Sequence, residues 1–183
     1  MNAHSSSSTT ARGGAQLCLL CCVVLAFGTA HAQFTMSDLQ IAGRALGFLD
    51  KPLQGQVTAG IVYSPANPQS AREAEALKDM LGDGLKIGNV TLRPVLVAAA
   101  DVQHSTAALF LLTDGIDDLT PVADAARTKK IPCITTDLAK VKSGNCAIGV
   151  RSQPKIEILV NRNAATGSQL SFSAVFRMMI TEI

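Results

Sequence analysis

The sequence predicts an α/β domain: a mainly parallel or mixed sheet of about five or six strands, flanked by helices. Three observations carry this. Apolar residues recur alternately at strand-like and helix-like periods along residues 33–183. The central run "AALFLL", Ala107 to Leu112, is continuous, as expected of a strand buried on both faces. The 151 residues from Gln33 onward suffice for one sizeable core, and no internal repeat or low-complexity linker divides them.

Each element follows from local chemistry. Leu39, Ala42, Leu46 and Leu49 recur at helical spacing over Asp38 to Leu49, with Ser37 as N-cap and Lys51–Pro52 as the stop. Gln56 to Tyr63 is the first strand. Asn67 caps a helix that begins on Pro68, carries Ala71, Ala74, Leu77 and Leu81 on one face, and stops at Gly82 and Gly84. Gly88–Asn89 is a turn before a strand over Leu92 to Ala98. After the Ala107–Leu112 strand, "TDGIDD" is a loop. Thr120 then caps a helix with Pro121 at its first position and Lys129–Lys130 at its carboxyl end. Ile131 to Thr135 is a strand and Leu138 to Val141 a helical turn. Cys146 to Val150 and Ile156 to Val160 are two strands joined across "RSQP". In the tail, Ile156, Ile158 and Val160 alternate onto one sheet face. Asn163 caps a turn broken at Gly167, and a last helix carries Leu170, Phe172, Val175 and Met179.

Residues 1–32 read as a targeting segment. Arg12 supplies the positive region, Leu17 to Phe27 the apolar region, and "AHA" at Ala30–Ala32 a small-x-small cleavage site. The apolar stretch is shorter than the ~20 residues that span a bilayer. The expectation is a periplasmic chain that starts at Gln33, with 15 basic and 14 acidic residues. Without a basic stripe or acidic tail, nucleic acid is not an expected partner. Three of the five cysteines lie in the targeting segment. The remaining pair, Cys133 and Cys146, is most simply a disulfide in an oxidising compartment, with two free buried thiols as the alternative.

Ligand-facing loops of an open α/β sheet follow the carboxyl ends of its strands. Here they are Ser64–Ser70, Thr113–Asp118 and Thr136–Lys140. Ser64, Asn67, Thr113, Asp114 and Thr136 are the candidate ligand-binding residues for a small polar or anionic molecule. Each also has a local reading as a helix cap or turn residue. His104, the only histidine after the targeting segment, has no nucleophile motif around it. No glycine-rich phosphate loop, no Cys/His metal pattern and no cofactor motif occurs, so the chain is not read as an enzyme. Phe172, Phe176 and Met179 are candidate partner-binding residues; an apolar helix face of this kind is either core or interface.

The tail "IEILVNRNAA…G…LSFSAVFRMM" resembles the ending of the YfiR/HmsC-like family of periplasmic proteins, in which an "EIN"-type strand enters an Ala-rich turn, a Gly and a last helix. Glu157, Asn161 and Gly167 fit that pattern. "AALFLLTD" is similar to the family's central strand, and "IPCITTD…GNCAIGV" to its "VLTVGD…GGMINFV" segment. "IAGRALGFLDKP" stands where the family has its first helix. The similarity covers most of Asp38 to Ile183. Two departures stand out: Phe48–Leu49–Asp50 replace an aromatic-rich helix end in Trp-Pro, and "SPANPQS" replaces an acidic "G-D-D-P-F". The resemblance implies a periplasmic regulator. Its partner would be the periplasmic sensor domain of a membrane-bound diguanylate cyclase, which it holds inactive and so modulates cyclic-di-GMP signalling and biofilm formation; a homodimer is a further candidate assembly. The alternative is a small-ligand binding protein whose single domain resembles one lobe of periplasmic binding proteins.

Overall fold

The structure is a computed structural model and describes residues 33–183. The targeting segment and its cleavage site, apart from Gln33, lie outside the described residues. Among the described residues no helix is long and apolar enough to cross a membrane.

The strands are β1 (Gly55–Tyr63), β2 (Leu85–Ile87), β3 (Val90–Ala98), β4 (Leu109–Leu112), β5 (Cys133–Thr135), β6 (Ile148–Arg151), β7 (Glu157–Val160) and β8 (Thr181–Glu182). The helices are α1 (Met36–Leu46), α2 (Pro68–Leu81), α3 (Thr120–Lys129), α4 (Leu138–Lys142), α5 (Arg162–Gly167) and α6 (Ala174–Arg177). One mixed sheet runs β2-β3-β1-β4-β5-β6-β7-β8. Its centre, β3-β1-β4-β5-β6, is parallel throughout, while β2 joins β3 and β7 joins β6 antiparallel. The α/β class is as expected, but the sheet has eight strands rather than five or six. The two that the sequence hides are its edges, β2 and β8. They have three and two residues, too few to show a period.

Strand alternation divides the core in two. Val57, Ala59 and Ile61 of β1 and Leu109 and Leu111 of β4 meet α1 and α2 through Leu39, Leu46, Ala74 and Leu77. On the other face, Val62, Phe110 and Leu112 meet α3 and α4 through Val122, Ala126, Leu138 and Val141. The chain runs from β1 to β3 on one side and then returns to place β4 on the other. The strand order therefore reverses between β1 and β4, and there the carboxyl ends of an open sheet form a crevice.

Several boundaries differ from the sequence reading, each for a local reason. Thr35, not Ser37, caps α1. The Thr35 hydroxyl accepts the Asp38 N–H at 3.2 Å, and the Asp38 carboxylate accepts the Thr35 N–H at 2.8 Å, a reciprocal pair that places Ser37 inside the first turn. The helix ends at Leu46, because Leu49 instead bridges to Phe172. Thr120 opens α3 but does not cap it: Leu119 is the N-cap residue, and the Asp118 carboxylate accepts the Thr120 N–H at 2.9 Å. Asn161, not Asn163, caps α5, accepting from the Ala164 N–H at 3.0 Å.

The largest correction is the tail. The long last helix expected over Leu170 to Met179 is only the four-residue α6. The Asp50 N–H donates to the Ser171 carbonyl and the Ser173 N–H to the Phe48 carbonyl, so these backbone groups are engaged across the chain and stay extended. Ile156, outside β7, is 69% exposed and does not join the sheet face with Val160.

Cys133 and Cys146 form a disulfide with Cα atoms 5.2 Å apart. It ties the first residue of β5 to the approach of β6 and encloses α4.

Candidate functional site

The crevice between β1 and β4 brings together four of the five residues expected there. A donor chain crosses its floor. The Ser64 N–H donates to Ser70 Oγ at 3.0 Å, Ser70 Oγ lies 2.8 Å from Thr113 Oγ1, and the Thr113 hydroxyl donates to the Val62 carbonyl at 3.0 Å. Because Thr113 uses its proton on Val62, Ser70 donates to Thr113. Asn67 caps α2 through the Gln69 and Ser70 N–H groups and donates its amide to the Gly115 carbonyl at 3.1 Å. Gly115 has φ +69°, and a Cβ there would collide with the Asn67 amide, so the β4 loop closes on α2 only with glycine at that position.

A charged layer lies over this floor. The Asp114 N–H donates to Glu73 Oε2 at 2.9 Å, and Asp114 Oδ1 accepts from Lys140 Nζ at 2.8 Å. Lys140 also donates to the Thr113 carbonyl at 3.0 Å. Its side chain is 11% exposed and that of Asp114 15%, so the ion pair is largely withdrawn from water. The fifth expected residue, Thr136, is buried where the chain leaves β5.

Three members of this network, Ser70, Glu73 and Lys140, were not among the expected site residues. Ser70 and Lys140 are the last residues of the Ser64–Ser70 and Thr136–Lys140 loop ranges. Ser70 and Glu73 fall on the buried stripe of α2 with Ala74, Leu77 and Leu81, but their polarity hides that they face inward. Gln33 and Phe34 lie beside Glu73 and Thr113, along α2. Phe34 is 7% exposed, and with Gln33, Glu73, Leu77, Met80 and Thr113 it lines a cavity of only about 30 Å³. That is room for a water or two, not for a solute.

The tail is built in the opposite way. Of the three candidate partner-binding residues, Phe172 and Phe176 are 4% and 2% exposed and belong to the core. Phe176 stacks on Phe48 with ring centroids 4.9 Å apart and packs at a tilt against Phe172 at 5.2 Å. They offer no docking face. Met179 is exposed, as are Val175, Met178 and Ile183. Beside them an open cleft of about 310 Å³ is flanked by Arg162, Arg177 and Glu182 over Phe172 and Leu170. Glu182 accepts from Arg162 Nε at 3.1 Å and lies 3.8 Å from Arg177 Nε.

No protein-family profile matches the chain, and no curated protein does. Among solved structures, a conserved domain protein of Vibrio cholerae is similar, with a TM-score of 0.52 at 14% identity over 80% of this chain. The chain spans 58% of that protein's length. At this identity the likeness shows the fold alone, and it agrees with the α/β architecture described above.

Proposed function

We propose that this chain is a periplasmic regulatory binding protein, exported through a signal peptide cleaved after Ala32, that works by contacting a protein rather than by holding a solute at the strand ends. The supporting observation is the crevice itself. Its polar groups bond to one another, and beside Glu73 and Thr113 the space under Phe34 is only about 30 Å³. The exposed large apolar side chains of the tail, Val175, Met178, Met179 and Ile183, supply a surface of the kind that protein contacts bury. The disulfide fits an oxidising compartment. By its resemblance to YfiR/HmsC-like regulators, the partner is the periplasmic sensor domain of a membrane-bound diguanylate cyclase, held inactive by the contact.

The test is a cyclic-di-GMP measurement in the native host. Deleting the gene should raise the level. A rescue copy carrying Met178→Glu and Met179→Glu should fail to lower it, while its melting temperature stays near that of the parent. An unchanged level on deletion, under both reducing and oxidising stress, would end the regulator reading. A second reading draws on the cleft at Arg162, Arg177 and Glu182, whose size and charges suit a small anion or amino acid. A thermal shift with such compounds that Arg177→Ala abolishes would favour that solute-binding alternative.

A further inference from the structure

Glu73 carries a carboxylate into the crevice with 6% of the residue exposed. It accepts three hydrogen bonds, all from neutral donors: the Asp114 N–H at 2.9 Å, Gln69 Nε2 at 2.8 Å and Gln33 Nε2 at 3.4 Å. Among the described residues no ion pair reaches it, because Lys140 is engaged with Asp114 and the Thr113 carbonyl. Buried carboxylates are best met by hydrogen bonds together with a cation, and here the hydrogen bonds stand without one. The residue that touches it from outside, Gln33, is held in place by its buried neighbour Phe34.

Gln33 is also the residue that follows the "AHA" cleavage site. We infer that maturation itself supplies the missing charge: the α-ammonium created at Gln33 is the cationic partner of Glu73. This rests on the export reading above. A signal-peptidase-type hydrolysis adds one water across the Ala32–Gln33 bond, leaving a carboxylate on Ala32 and an ammonium on Gln33. In the precursor the Gln33 nitrogen is a neutral amide. After the cut it is a cation, separated from the Nε2 already at Glu73 by no more than its own side chain. The α-amino group ordinarily titrates near 7.7–8.0, so it is mostly charged at neutral pH. The same pairing has a chemical consequence. A free amino-terminal glutamine cyclises when its neutral amine attacks its own carboxamide carbon and expels ammonia. An amine held as ammonium by Glu73 has no lone pair for that attack, so the fold protects the new terminus.

The experiment compares purified chains released from a fusion so that they begin at Gln33. Acetylating the α-amine should lower the melting temperature at neutral pH by about 2–4 °C. In the Glu73→Gln background acetylation should change nothing. Gln33 should also lose ammonia, followed by intact mass, about tenfold more slowly than in an unstructured peptide beginning Gln-Phe-Thr, a factor that corresponds to about 1.4 kcal/mol in favour of the charged amine. This readout decides the matter if Glu73→Gln fails to fold. No shift on acetylation, an equal shift in both backgrounds, or cyclisation as fast as in the peptide would overturn the pairing. Where the exported protein is cut is read separately, by intact mass from a periplasmic extract. A start other than Gln33 overturns the export step and, with it, the role of maturation, whatever the purified chains show.

Discussion

The β1/β4 crevice and the tail are opposite solutions to ending a sheet. The crevice is polar and its groups are engaged. Ser70, Thr113, Asn67, Glu73, Asp114 and Lys140 bond to one another, and Phe34 packs beside Glu73 and Thr113. The tail is apolar and open. It buries Phe172 and Phe176 but leaves Met178 80% exposed and Met179 58% exposed. Position in a fold does not by itself mark a binding surface. The crevice has the topology of a ligand site, yet its groups already serve the fold, while the exposed surface of the tail has no such duty.

The largest expected effect separates the two halves of the tail. Phe176→Ala removes a buried side chain packed between Phe48 and Phe172 and should cost about 3–5 kcal/mol in urea unfolding. Replacing the neighbouring Met178 by Ala should change stability by no more than about 0.5 kcal/mol, because that side chain lies in solvent. A loss for Met178 as large as for Phe176 would erase the distinction between buried and open tail residues.

How much of this was legible beforehand depended on whether a residue's role is local. The Asn67 cap with Pro68, the apolar run of β4 and the Cys133–Cys146 pair are written in contiguous or compositional signals, and the structure has them. The Leu49–Phe172 bridge is not local. It holds the tail extended against the amino-terminal helix end, and no period within Leu170 to Met179 announces it. The inward turn of Glu73 is hidden for the same reason. On a helical wheel it shares the buried face, but the donors that meet its carboxylate include the Asp114 backbone 41 residues away and Gln33 40 residues away, which no local pattern shows.

The disulfide lies between these extremes in size. It closes a loop with a sequence separation of 13, for which chain entropy gives ~3 kcal/mol. Cys146→Ser should therefore lower stability by roughly 2–4 kcal/mol, with the loss matched by reducing the parent protein. A Cys146→Ser protein that unfolds at the same urea concentration as the oxidised parent would show that β5, α4 and β6 hold one another without the link.

The crevice floor should respond more weakly. Thr113→Val keeps the shape but removes both the donor to the Val62 carbonyl and the acceptor for the Ser70 hydroxyl. Leaving buried polar groups unmet in this way costs about 1–3 kcal/mol. The double variant Thr113→Val/Ser70→Ala should lose less than the sum of the two single losses, since the stranded hydroxyl goes with it, although the Ser64 N–H then also loses its acceptor. Strict additivity of the two substitutions would mean that the Ser70–Thr113 bond is not a coupled unit.

The smallest effect concerns Asp118, at the entrance of α3. Its carboxyl pKa is lowered from the ordinary value of 3.8, first by the bond from the Thr120 backbone N–H and then by the Thr120 side chain, with burial opposing only slightly. A pKa depressed by folding means that the unfolded chain binds a proton more readily than the folded one. The stabilisation is therefore present above pH 3.8 and fades as pH falls through the lower folded value. Asp118→Asn can still accept the Thr120 N–H but carries no charge to the helix amino end. The difference in melting temperature between parent and Asp118→Asn should be small near neutrality and should shrink further as the solution is acidified below that ordinary value. Because Asp118 lies in full contact with solvent, added salt should shrink it as well. A difference that stayed constant from neutral to strongly acid solution would mean that Asp118 acts through shape alone, and that its charge contributes nothing to starting the helix.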